Sequence, residues 1–242
     1  MAIIEVKNLN LTYRVLMTRT GSLKELFRDA VKGRVRINNY VALDGVNFSV
    51  DKGEVVAILG RNGAGKSTLL KVLAKVLPPT EGSLQINGTI APLIELGAGF
   101  HPELTGTENV VFYSTLLGRD LKKTRANVAE IGEWAGVTDH MDFPLRTFSS
   151  GMMARLAFAA ATYEKSDILL VDEILAVGDA SFQAKSRKRM LELIEGGAAV
   201  ILVSHDMGTV RTLATRAIWL EAGKVKMAGD PEEVVSAYEK SF

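Results

Sequence analysis

Apolar residues fall along this chain in two rhythms. Uninterrupted apolar runs at residues 55–59, 168–171 and 198–203 alternate with stretches spaced at the helical repeat. A strand covered on both faces reads as a continuous run, and strands alternating with helices point to a parallel sheet between helical layers. Residues 3–9 read as an opening strand that continues or turns through 10–13. Residues 42–50 read as the next strand, and 51–54 as a tight hairpin turn into the run at 55–59. Short strands are expected at 83–86 and 89–94. Helical segments are expected over about 105–135, with breaks near Gly118 and Gly136, and again over 152–163 and 182–195. At the end of the chain Asp230 suits an N-cap, Pro231 the first helical position and Glu233 a reciprocal capping acid. Trp134 and Trp219 are expected in the core, and His101 exposed in a loop.

Between the first two strands the pattern changes. Leu23, Leu26, Phe27, Ala30 and Val31 share one face of a helix over 22–31, with Ser22 and Glu25 as a capping box and Gly33 at its end. Arg14, Arg19, Lys24, Arg28, Lys32, Arg34 and Arg36 surround it, against Glu25 and Asp29. Two readings stand: a basic helix for a membrane surface or anionic ligand, or a helix packed on the core with a solvated basic face.

Composition narrows the setting. The 242 residues suit one large domain or a core with a subdomain. A net charge of +1 gives no global case for nucleic acid, and the absence of cysteine excludes disulfides and thiolate metal sites. The first residues lack the features of a signal peptide, and the apolar runs are too short to cross a bilayer. The expectation is a cytosolic protein that would need a separate partner for any membrane role.

The chemistry centres on Gly60-Arg61-Asn62-Gly63-Ala64-Gly65-Lys66-Ser67-Thr68, between the run at 55–59 and a helical segment. Strand, glycine-rich turn and helix start form the context of a phosphate-binding loop. Its amides and the helix dipole attract an anion, Lys66 adds a point charge to the outer phosphates, and the Ser67 hydroxyl suits Mg²⁺. Asp172, at the end of a second buried strand, suits Mg²⁺ directly or through water. Glu173 is placed to polarise an attacking water, and His205, after a third strand, suits the γ-phosphate. Each alone has a plain alternative, a cap or a satisfied structural residue.

Phe148-Ser149-Ser150-Gly151-Met152 opens the helix at 152–163. It resembles the signature motif of ATP-binding-cassette (ABC) ATPases, usually Leu-Ser-Gly-Gly-Gln, and the family's order of motifs runs through nearly the whole chain. The resemblance implies an α/β fold, a P-loop NTPase of the ABC type, with a mainly parallel core sheet, an antiparallel β subdomain and a helical subdomain. It implies one domain over 1–242, containing the basic insertion at 14–40, a helical subdomain at about 97–160 and a C-terminal helix at 230–242. It also implies ATP and Mg²⁺ as ligands, Tyr13 stacked on adenine (Tyr40 is the alternative), Ser149 to Met152 acting in trans, and a D-loop at Ala176-Val177-Gly178-Asp179. The chain departs from the pattern with Ser150 for Gly and Met152 for Gln. In the loop that usually carries a Gln, Glu95 is the nearest polar residue and a candidate Mg²⁺ ligand.

The segments Leu96 to Gly106, Ser149 to Met152 and Ile174 to Asp179 resemble one subgroup, the ATPase subunits of bacterial polysaccharide exporters. That resemblance implies a translocase of lipid-linked O-antigen, teichoic acid or cell-wall glycan at the cytoplasmic face of the bacterial plasma membrane. It implies a homodimer, two copies of a separate integral permease and no nucleic acid. Gly97, Phe100, His101 and Pro102 are the expected permease contact. The C-terminal carbohydrate-binding domain of some members is not expected in this sequence. Rival readings are an ABC ATPase for another substrate and a soluble ABC ATPase of repair or translation, which usually has tandem cassettes or a long coiled coil. A GTPase would need an Asn-Lys-x-Asp motif, which is lacking, and a small-molecule kinase would not need the signature.

Overall fold

The strand before the phosphate loop, β3 (Val55–Leu59), is buried along its whole length, as a strand flanked on both edges and both faces must be. A computed structural model describes residues 2–16, 37–94, 96–172 and 178–242. The helix expected over 22–31, together with Glu95, Glu173 and the Ala176-Val177 half of the D-loop, lies outside the described residues.

Two sheets pack together. The first is antiparallel, in the order β2-β1-β4, from β1 (Ala2–Leu16), β2 (Ile37–Asp51) and β4 (Glu81–Ile86). Pairing of β1 with β2 extends to Leu16 opposite Ile37. The second sheet has the order β5-β6-β7-β3-β8-β9. Its strands β5 (Ile90–Leu93), β6 (Ile168–Asp172), β7 (Ala199–Val203), β3 and β8 (Arg216–Glu221) are parallel, and β9 (Lys224–Gly229) closes one edge antiparallel to β8.

The hairpin expected at 51–54 is not formed. The turn itself is present, with Glu54 N donating to Asp51 O at 3.1 Å. It carries the chain from one sheet to the other, because β3 pairs with β7 and β8 rather than with β2. Arg216 fastens this crossing by donating to Glu54 Oε1 at 2.7 Å and to the Ser49 carbonyl.

Helix α1 (Lys66–Leu73) buries Leu69, Leu70 and Leu73 between the sheets. Helices α2 (Gly106–Leu116), α3 (Leu121–Ala135) and α4 (Ser150–Thr162) form a helical lobe around Val110, Ile131, Leu156 and Phe158. Burying such a side chain fully is worth about 1.5–3 kcal/mol. Helix α5 (Ala180–Glu195) follows β6. Helix α6 (Met207–Leu213) and the β8–β9 pair add elements the apolar pattern did not mark. The last helix, α7 (Pro231–Glu239), begins as expected on the Asp230 cap, which accepts from the Glu232 and Glu233 amides. Trp219 is buried against Tyr238 of α7, and Trp134 stacks on Phe158.

Candidate active site

Parallel strands end at one edge, and the ends of β3, β6 and β7 deliver the phosphate loop, Asp172 and His205 to it. This is where open α/β sheets bind ligands. Glycine is required at two points of the loop. At Gly60 (φ +154°) a Cβ would stand 2.3 Å from the Leu220 carbonyl, and at Gly65 (φ +103°) 2.6 Å from that of Ala42. Lys66 begins α1 with its side chain turned inward. Its Nζ donates to the carbonyls of Gly60 at 2.6 Å and Arg61 at 3.1 Å, so its charge lies inside the loop.

Beside it opens a cleft of about 470 Å³, lined by Asn62, Gly63, Gly65, Lys66, Ser67 and Thr68 of the loop and by Asp172, Val203 and His205. Ala42, Tyr40 and Ile94 complete the lining. Ser67 Oγ faces Asp172 Oδ2 at 3.5 Å. A hydroxyl and a carboxylate converging at this spacing form a hard-oxygen donor pair of the kind Mg²⁺ takes, the remaining positions being left to phosphate oxygens and water.

The two candidate aromatics face each other in the β1–β2 register, Tyr13 opposite Tyr40. Tyr13 is half-buried, packed against the core, with its hydroxyl 3.5 Å from Thr68 Oγ1. Tyr40 is 55 % exposed and lines the cleft. The resemblance favoured Tyr13, and the geometry offers Tyr40 as the open aromatic face.

Ser149 caps α4 by accepting from the Met152 amide at 3.2 Å. Ser149 and Ser150 are exposed, and none of Ser149 to Met152 lines this chain's own cleft. A Cβ at Gly151 would meet only Ser149 Oγ at 3.9 Å, so neither packing nor backbone strain explains that glycine. Asp179 caps α5, accepting from the Ser181 and Phe182 amides at 3.0 Å each. The Ser181 hydroxyl first, then the Phe182 amide, hold its carboxyl below the usual range.

The loop at 97–105 is organised by a residue the pattern did not reveal, the fully buried Asn109. Its Oδ1 accepts from the His101 amide at 2.6 Å, and its Nδ2 donates to the carbonyls of His101, Leu104 and Thr105 at 2.9–3.0 Å. The available signal was a polar side chain one turn inside a capped helix, where a solvent position had no claim on it. His101 itself is exposed, as is Pro102. Phe100 is half-buried, its ring edge-on to Tyr113 at 5.5 Å. Next to this loop an apolar groove of about 290 Å³ lies between α1, β5 and α2, lined by Val76, Pro92, Ile94, Ala98, Leu116 and Leu117 among others. Val76 is 66 % and Leu116 58 % exposed, and Ile94 lines both this groove and the cleft.

The family model for "ABC transporter" matches residues 43–176, more than half of the chain. The chain belongs to the ABC transporter family. Among the family's curated members, an O-antigen export system ATP-binding protein RfbB of Klebsiella pneumoniae is 42 % identical over 88 % of this chain and 85 % of its own length. RfbB of Myxococcus xanthus is 46 % identical over 83 % of this chain, and there the match spans 46 % of the relative's length. The teichoic acids export ATP-binding protein TagH of Bacillus cereus is 37 % identical over 97 % of this chain and 42 % of its own length. Among solved structures, an ATP-binding subunit of an ABC transporter superposes with a TM-score of 0.75 at 23 % identity, covering 98 % of this chain and 93 % of that one. A bacterial ABC transporter cassette solved as a dimer gives 0.71 at 25 % identity, covering 94 % and 98 %. The fold is therefore the α/β fold of ABC nucleotide-binding domains, and the family is one that binds nucleotide.

Proposed function

We propose that this chain is the ATP-hydrolysing subunit that powers export of a lipid-linked polysaccharide, of the O-antigen or teichoic acid kind, through a separate membrane permease. The observation that carries the ATPase reading is the convergence of Lys66, Ser67, Asp172 and His205 on one cleft. The names of the relatives carry the substrate class. No helix among the described residues is long and apolar enough to cross a membrane. In this reading the chain works at the cytoplasmic face on a permease present in two copies.

In the proposed mechanism the loop amides and the α1 dipole receive the β- and γ-phosphates, with Lys66 turning from the loop carbonyls to the outer oxygens. Ser67 and Asp172 would hold Mg²⁺, which when bound neutralises charge on the phosphates. Glu173, next in the chain after Asp172, takes the proton of the attacking water. His205 hydrogen-bonds the γ-phosphate. Gly151 leaves open room at the start of α4. In the proposed dimer that room admits the γ-phosphate held by the other copy, with Ser149 and the α4 amides as donors. Tyr40 stacks on the base. Tyr40→Ala is expected to weaken ATP binding roughly tenfold, since base–aromatic stacking is worth about 1–3 kcal/mol. Tyr13→Leu, which removes the ring, should leave it nearly unchanged. Titration with a fluorescent ATP analogue measures both.

The apolar groove at Val76 and Leu116 is where we place the permease, docked by a cytosolic helix, because exposed apolar side chains there adjoin the cleft through Ile94. Phe100 supports that surface from within through Tyr113. A Val76→Asp, Leu116→Asp double variant is expected to keep the basal ATPase of the isolated subunit within about twofold. In cells it should abolish surface glycan and accumulate the lipid-linked precursor. Normal surface glycan in that variant would contradict the docking site, and an unchanged glycan on removing the chain altogether would contradict the export role.

A further inference from the structure

Helix α4 starts at the signature segment and ends against two arginines from different parts of the fold. A helix leaves its last four carbonyls without partners of its own. Here the Tyr163 amide donates to Ala159 O. Arg119, from the turn between α2 and α3, forks across the carbonyls of Ala160 and Ala161. Arg189, on α5, donates from Nε and Nη2 to Thr162 O at 3.2 and 2.8 Å, and from Nη2 to Tyr163 O at 2.9 Å. Both cations suit the negative end of the helix. Only Arg189 reaches it from outside the helical lobe.

Further contacts join α5 to α4 and to α3. Phe158 of α4 meets Phe182 of α5 edge-to-face at 6.1 Å, and Trp134 packs on both rings. Lys185 of α5 donates to Trp134 O at 2.8 Å and lies 4.6 Å from the centre of its ring. The contacts therefore run 158 with 182 and 162 with 189. The two helices are parallel, and their caps, Ser149 and Asp179, stand at the same end.

We propose that Arg189 is a positioning residue: by holding the far end of α4 to α5 it keeps Ser149–Met152 and Asp179 aligned, so that both meet the nucleotide of the other copy together. The inference rests on the reading of the signature segment as acting across a dimer. Arg189 does not line the cleft. It lies at the opposite end of α4, about 20 Å from Ser149 at 1.5 Å per residue. Its effect has to pass through the helix.

Arg119 supplies the control, because it caps the same helix end without linking it to α5. Arg189→Ala and Arg119→Ala are each expected to lower Tm. Arg189→Ala should also lower kcat about tenfold while KM for ATP stays within about twofold, and Arg119→Ala should keep kcat within about twofold. Arg189→Lys keeps the cation but loses the fork, and is expected to cost about threefold in kcat. A kcat that follows the loss of Tm alike in both alanine variants, or an unchanged kcat in Arg189→Lys, would make Arg189 a helix cap only. Gly151→Asp, assayed alongside, separates the two levels. If it is inactive while the Arg189 variants turn over normally, only the positioning role is lost. If it hydrolyses ATP normally, the dimer reading fails and the inference with it.

Discussion

Glu173→Gln is expected to bind ATP as the unaltered chain does and to hydrolyse it roughly 10²- to 10⁴-fold more slowly. The amide keeps the shape of the side chain and removes its ability to take a proton from the attacking water. At about 1.36 kcal/mol per decade this is a rise of roughly 3–5 kcal/mol in the barrier. The loss should fall on kcat with little change in ATP affinity, because Lys66, proposed for the phosphates, and Ser67 and Asp172, proposed for Mg²⁺, are untouched. With hydrolysis blocked and binding intact, a dimer closed on ATP should accumulate, visible by size-exclusion chromatography with Mg²⁺-ATP. Turnover within a few-fold of normal would remove Glu173 from the chemistry and leave Asp172 and His205 to account for it.

Gly151→Asp should abolish hydrolysis while each monomer still binds ATP. The chain itself has room for a larger side chain at this position, whose nearest neighbour is Ser149 Oγ at 3.9 Å, so a substitution there should leave the fold intact. What it changes is the surface that α4 presents to another molecule. A carboxylate at a helix start is ordinarily favourable, so stability should hold or rise slightly. Set against a γ-phosphate it is repulsive, and the dimer should fail to close. Equilibrium binding of ATP, sedimentation with and without ATP, and steady-state turnover separate these effects. Loss of ATP binding in the monomer would mean that the residue serves its own chain's cleft.

The sequence carried what is local. The strand at 55–59, the loop after it and the acid ending 168–172 are legible because a buried strand, a glycine turn and a helix start each leave their mark within a few residues. Sheet membership is not local. The turn at 51–54 has the look of a hairpin, and only the pairing of β3 with strands at 200–203 and 216–219 shows that the chain changes sheets there. Helix α6 has seven residues with one buried, too few to set a period. The β8–β9 turn uses Ala222 at φ +48°, followed by Gly223, rather than an Asn-Gly pair. That Tyr13 and Tyr40 are neighbours was not legible from spacing, since they meet through pairing across the segment between them. Arg119 and Arg189 were invisible for the same reason, as the carbonyls they cap lie 41–42 and 26–27 residues away.

The central claim is that ATP is hydrolysed between two copies of this chain, on the phosphate loop of one and the signature segment of the other. Mixing two inactive variants tests it most directly. Lys66→Ala removes the loop's cation and keeps the signature, whereas Gly151→Asp does the reverse. A mixed dimer would contain one intact site, formed by the loop of the Gly151→Asp copy and the signature of the Lys66→Ala copy. In its other site the added carboxylate meets a loop that holds ATP poorly, so repulsion there is small. The account predicts that the mixture hydrolyses ATP well above the sum of the two variants alone, with a maximum near equal amounts. A mixture that never exceeds that sum at any ratio, although the unaltered chain is active under the same conditions, would contradict it.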